Sequence, residues 1–148
     1  MQDVKAVAIV GVGAILPDAF DAPTFWKNIR KRHYSIVDVP PERWREDLYF
    51  NSDPTVPDKT YSKIGGWVRD YKFEPLKAGI PIPPRVLDVM DEAQQWALAA
   101  SRQALMDYGH PGRSLNLDRT AVILGNAMAG EGHYRSTMRI LLPEYLDL

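Results

Sequence analysis

Two short apolar runs, each emptying into a glycine-rich loop, constrain the fold of this chain more than any other feature. Residues 5–12, KAVAIVGV, are rich in Val and Ile and end at Gly11 and Gly13. Thr120–Leu124 repeats the pattern and is closed by Gly125-Asn126-Ala127-Met128-Ala129-Gly130. Runs this short and this uniformly apolar have the length and content of strands buried on both faces, as in the centre of a parallel sheet. Parallel strands need covering crossovers, so the expected class is α/β. A central strand also needs neighbours on both sides, and the sequence offers only these two convincing strands. The expected sheet is therefore incomplete.

The helical signals lie between and after these runs. Asp21, Pro23 and Thr24 precede Phe25, Trp26 and Ile29, and the basic residues Arg30-Lys31-Arg32 follow, which predicts a short amphipathic helix. Residues 84–108 predict the longest helix, with Pro84 near its start, Asp88, Asp91 and Glu92 early and Gly109 at its end. Its stripe is dominated by Ala93, Ala97, Ala99, Ala100 and Ala104, so a tight, buried location is expected. A last helix is expected over Glu131–Leu142, stopping at Pro143. From about 35 to 84, eight prolines with Gly65-Gly66 and Gly79 predict a loop-rich excursion with a hairpin near Ser62–Arg69. Seven aromatics, Trp44 to Phe73, imply that it packs as an ordered insertion.

Composition excludes several function classes. Lys plus Arg number 18 against 19 acidic residues, and a net charge of −1 lacks the footprint of phosphate-backbone binding, so nucleic acid is not an expected partner. No apolar run approaches the roughly 18–20 residues of a membrane span. The N-terminus lacks the pattern of a secretory signal, which makes the cytoplasm the expected compartment. There is no cysteine, which removes disulfides, thiolate metal sites and thiol nucleophiles from these 148 residues.

The remaining motifs are weak. Gly11 and Gly13 suggest a dinucleotide fingerprint, but the third small position holds Leu16 followed by Pro17, so no NAD site is expected. His33, His110 and His133 stand at no metal-ligand spacing and read as surface or capping residues. No G-x-S-x-G elbow is present, and Ser35, Ser52, Ser62, Ser101, Ser114 and Ser136 sit near no obvious base. The group Asp88-Asp91-Glu92 and the cluster Arg30-Lys31-Arg32 are explained by helix-end electrostatics. The Gly125–Gly130 loop is the better candidate, because ligands of open α/β sheets bind at the carboxyl ends of strands. Its one bulky side chain, Met128, suits either an apolar tunnel or a core gap.

Five segments in order, IVGVGAILPDAFDAPTFW, VPPERW, DPTVPDKTYSKIGGWVRDYKFEP, MDEAQQWALAASRQALMDYG and TAVILGNAMAGEGHY, resemble a β-ketoacyl synthase. They are most similar to the ketosynthase domains of multidomain polyketide and polyunsaturated-fatty-acid synthases. Many members carry a non-nucleophilic cysteine where this chain has Ala14. The resemblance implies that residues 1–148 are the N-terminal portion of a thiolase-like fold with α-β-α-β-α layers, the missing strands following Leu148. It implies a decarboxylative Claisen condensation in which a cysteine and two histidines act, all beyond this chain, so no catalytic residue is expected here and the isolated chain should be inactive. It further implies a homodimer of the full domain, and a partner acyl carrier protein bearing phosphopantetheine, with no cofactor or metal bound directly. Met128 then becomes the expected acyl-pocket residue. The alternative is a non-catalytic scaffold or pairing module that keeps only the fold and interface surfaces.

Overall fold

A computed structural model describes residues 6–126 and 131–146. It is a mixed α/β structure that divides into two compact units, Ala14–Lys72 and the flanking segments Met1–Gly13 with Phe73–Leu148.

The Ala14–Lys72 unit begins with a tight turn. Leu16 and Ala19 exchange both backbone hydrogen bonds across Pro17-Asp18, and Asp18 takes φ 55°, a left-handed conformation that Asp tolerates. Helix α1, Ala22–Arg30, follows as expected, with Asp21 accepting a hydrogen bond from the Thr24 N–H at 2.6 Å and proline in the first turn. The sheet is not the one expected. Strand β1, Ile36–Asp38, pairs antiparallel with β2, Ile64–Gly66, in the register Ile36–Gly66, Val37–Gly65 and Asp38–Ile64. The predicted hairpin over Ser62–Arg69 is thus replaced by a pairing with a distant strand, and Gly65-Gly66 lie inside the strand instead of forming a turn. The reason is the Trp67 indole, which folds over Gly65 and donates from Nε1 to the Val37 carbonyl at 3.1 Å. A Cβ on Gly65 would lie 2.9 Å from that ring. A short helix α2, Glu46–Tyr49, and the backbone bonds joining Tyr49 and Asn51 to Thr60 close the loop between the strands. Ala19 and Val39 are the buried hydrophobic residues here.

In the other unit the expected long helix is divided. Helix α3, Pro84–Leu87, is a single turn, and α4, Glu92–Tyr108, starts anew. The new start is at Asp91 because it completes a capping box: its side chain accepts from the Ala93 N–H while the Gln94 side chain accepts from the Asp91 N–H. Helix α4 ends as expected at Gly109, φ 99°, with the His110 N–H returning to the Leu105 carbonyl. Ala99 is buried, with Ala97, Ala100 and Ala104 half-buried.

Neither apolar run forms a strand. Residues 6–13 and 121–126 carry no regular secondary structure, and Val7, Ile9, Val122 and Ile123 are more than four-fifths exposed. An isolated strand has no internal hydrogen bonds, and among the described residues no partner strand reaches either run. The first run instead packs by its glycines. A Cβ on Gly11 would stand 2.2 Å from the Ala104 carbonyl oxygen, and one on Gly13 would stand 2.0 Å from that of Ala100. The alanine face of α4 therefore receives a backbone, and Val12 N–H donates to Asp107 at 2.9 Å. A 3₁₀ turn, Leu117–Arg119, precedes the second run. The last helix, α5, spans Glu131–Leu146 and so passes through Pro143, where the sequence predicted its end.

Candidate functional site

Within the Ala14–Lys72 unit, an ionic cluster forms around the Asp18 turn. His33 Nε2 lies 3.0 Å from Asp18 Oδ2, and the Arg69 guanidinium lies 3.2 Å from Oδ1. Asn28 donates to the Asp18 carbonyl, tying the turn to α1. The hydrogen bond from His33, with further ones from Ser35 and Arg69, holds the Asp18 carboxyl below its ordinary range. A histidine, an aspartate and a serine thus meet, but not as a nucleophilic triad. The Ser35 hydroxyl bonds the Asp18 carboxylate, whose lowered pKa makes it a poor base for a hydroxyl proton, so the serine is not activated. The cluster is a brace between the turn, the end of α1 and the chain after β2.

The second feature of this unit is an open groove of about 530 Å³, lined by Trp44, Tyr49, Asp58, Thr60, Ser62, Lys63, Ile64 and Trp67. Trp44 and Tyr49 meet edge to face, with ring centroids 6.0 Å apart. Lys63 is fixed by Glu46 at 2.8 Å and Asp38 at 3.5 Å, and its ammonium stands 5.3 Å from the Phe50 ring centre. The hydrogen bond it donates to Glu46 pushes its pKa up. An ammonium so held has no lone pair, so Lys63 is neither a nucleophile nor a base. Sequence reasoning does not single out Lys63 or this groove. Their only signal is the aromatic content of the excursion, because the residues come together through the nonlocal pairing of β1 with β2.

Among the described residues of the other unit, the structure brings none of the candidates together. His110 follows the end of α4, and His133 lies on α5, 3.5 Å from the Thr137 hydroxyl. Among the described residues there is no group of three or more His, Asp or Glu arranged to hold a metal. The carboxylate group dissolves into separate roles, Asp91 capping α4 and also accepting from the Gly132 N–H at 2.9 Å. Of the Gly125–Gly130 loop only the first two residues are described, and Gly125 has open space around it. Met128, the expected acyl-pocket residue, lies outside the described residues. No helix among the described residues is long and apolar enough to cross a membrane.

Comparison with known proteins gives a consistent result. Residues 4–142 match the model of the β-ketoacyl synthase N-terminal domain. The chain is 36% identical over 121 residues to polyketide synthase ThaG of Burkholderia thailandensis, which covers 81% of this chain and 2% of that protein. It is 36% identical over 123 residues to a phenolphthiocerol/phthiocerol polyketide synthase polypeptide of Mycobacterium tuberculosis, covering 82% of this chain and 8% of that one. Polyketide synthase PksL of Bacillus subtilis is 30% identical over 126 residues, 84% of this chain and 3% of its own. This chain thus spans less than a tenth of the length of these relatives. Among solved structures, the oxazolomycin ketosynthase domain OzmH KS7 of Streptomyces albus JA3453 is similar with a TM-score of 0.43 and 36% identity, covering 49% of this chain and 13% of that one.

Proposed function

The chain belongs to the β-ketoacyl synthase family, in its N-terminal domain and related to the ketosynthase domains of modular polyketide synthases, and from that premise we propose that it is the amino-terminal part of a condensing acyltransferase. In the complete domain a cysteine thiolate attacks an acyl thioester and releases the carrier thiol. The malonyl thioester then loses CO₂, and the electron pair of the broken C–C bond forms a new bond to the acyl carbonyl carbon as the thiolate leaves. Two histidines and backbone amides stabilise the developing negative charge. The acyl and malonyl groups ride on phosphopantetheine arms of a carrier protein, and the domain works as a homodimer with thiolase-like layers.

The observation that carries this reading is the family match across residues 4–142 in a chain that holds no cysteine. The nucleophile and the histidine pair then come from polypeptide outside these 148 residues, while residues 6–13 and 120–126 supply strands to the completed sheet and Met128 lines the acyl pocket. The scaffold reading draws on the same absence of a nucleophile. The test is the coding sequence beyond Leu148, followed by assay. An open frame encoding a cysteine and then two separated histidines, with malonyl-thioester decarboxylation by the longer product and none by this chain, supports the condensing enzyme. Decarboxylation by this chain alone sinks that assignment of parts, and a stop codon with no such sequence beyond it favours the scaffold.

A further inference from the structure

Helix α1 carries a surface that the helix-end explanation of its basic residues does not account for. Pro23, Trp26, Lys27, Arg30 and Lys31 recur at steps of three and four and so share one face of the helix. Together they line a shallow concavity of about 490 Å³. From Pro23 to Lys31 the stripe runs about 12 Å, roughly two helical turns. Trp26, read from the sequence as one of the helix's apolar residues with Phe25 and Ile29, lies on this basic stripe and is 61% exposed.

The charges on the stripe are uncompensated. Lys27, Arg30 and Lys31 are exposed, and none forms an ion pair among the described residues. The nearby carboxylates are already used. Asp21 caps the start of α1, and Asp18 is held by His33 and Arg69. The helix dipole favours cations at this end, but it gives no reason for a tryptophan among them. Aromatic and arginine side chains on one exposed patch are the composition of binding hot spots.

We propose that this face of α1 is a docking surface for an acidic helical segment of a partner protein. Carboxylates spaced three or four residues apart on the partner would face Lys27, Arg30 and Lys31, and one apolar side chain between them would cover the Trp26 indole. The charge complementarity names the occupant. Nucleic acid is disfavoured because the cations form one two-turn stripe on a chain of net charge −1, too small a field for a phosphate backbone. A membrane surface is disfavoured because an interfacial helix keeps its tryptophan on the face opposite its cations, whereas Trp26 shares a face with Lys27, Arg30 and Lys31. The surface stands independently of the condensing-enzyme reading.

The test uses the 148-residue chain and an 18-residue helical peptide with glutamates at three- and four-residue steps around a central leucine, its binding followed by calorimetry. Saturable binding is expected at 50 mM NaCl, weakened at least tenfold at 500 mM. R30E/K31E should weaken it at least tenfold and W26A at least threefold, with unchanged far-ultraviolet circular dichroism. K72E, the same kind of reversal off α1, should leave it within twofold. Absence of binding, equal affinity for R30E/K31E, or equal loss in K72E overturns the proposal. Equally tight binding of a 20-base-pair duplex or of phosphatidylglycerol vesicles overturns it as well.

Discussion

A helix over 84–108 and strands at the two apolar runs are all expected from the sequence, yet only the helix forms, as α4 after the single turn α3. The difference lies in where each element's backbone hydrogen bonds go. Helix α4 closes its own, and its ends are finished by residues within the same stretch, Asp91 and Gln94 at one end and Gly109 at the other. The runs at 6–13 and 120–126 cannot close theirs. Their N–H and C=O groups need a neighbouring strand, and their apolar side chains stay exposed. Where the first run is held, it is held by the helix, through Gly11, Gly13 and the Val12 to Asp107 bond.

Substitutions should widen or close this gap. The largest effect is expected at Gly13, where alanine would drive a methyl into the Ala100 carbonyl. Gly13→Ala should cost about 1–3 kcal/mol in urea unfolding, while Gly125→Ala, made where nothing lies within 4 Å, should change little. Equal losses at the two glycines would show that the close approach is not what holds the run. Next, Asp91→Ala removes the α4 cap and should cost about 1 kcal/mol and lower the helical circular dichroism. An unchanged signal would mean that α4 does not depend on its own cap.

A smaller effect is expected from pH. The folded-state pKa of Asp18 is depressed, chiefly by the hydrogen bond from His33. Its stabilising contribution is therefore complete above the ordinary carboxylate range and is lost as pH falls through the depressed value. Melting temperature should fall with acid below about pH 4, and Asp18→Asn should flatten that part of the profile. An identical acid limb in the variant would remove Asp18 from the account. The smallest effect is expected for Ile123→Glu in this chain, within about 0.5 kcal/mol for an exposed position. In the completed domain the same change should be severely destabilising if the run becomes a buried strand. A large loss in the 148-residue chain would mean the run is already packed.

The features legible in the sequence share a local cause. The Asp21 start of α1 and the Gly109 stop of α4 are each decided by a few adjacent residues. The boundary between α3 and α4 is not legible in this way, because Pro84, Asp88 and Asp91 each mark a plausible start, and only the reciprocal Asp91–Gln94 bonds choose among them. Gly65-Gly66 read as a turn because two glycines look alike whether they bend the chain or make room for an indole. Of the site features, the spacing of Lys27, Arg30 and Lys31 is readable, but the exposure of Trp26 beside them is not. Lys63 escapes notice because Glu46 and Asp38, far apart in the chain, become its partners only through folding.

What the sequence determined by itself was the family, carried by ordered segments along nearly the whole chain, the absence of a thiol, and the helices whose hydrogen bonds and caps are local. Tertiary structure alone decided which segments pair as strands, which glycines serve close approach, and which charges remain without partners. Those outcomes depend on contacts between residues distant in the chain, and such contacts form only when the gain from packing exceeds the entropy of closing the intervening loops.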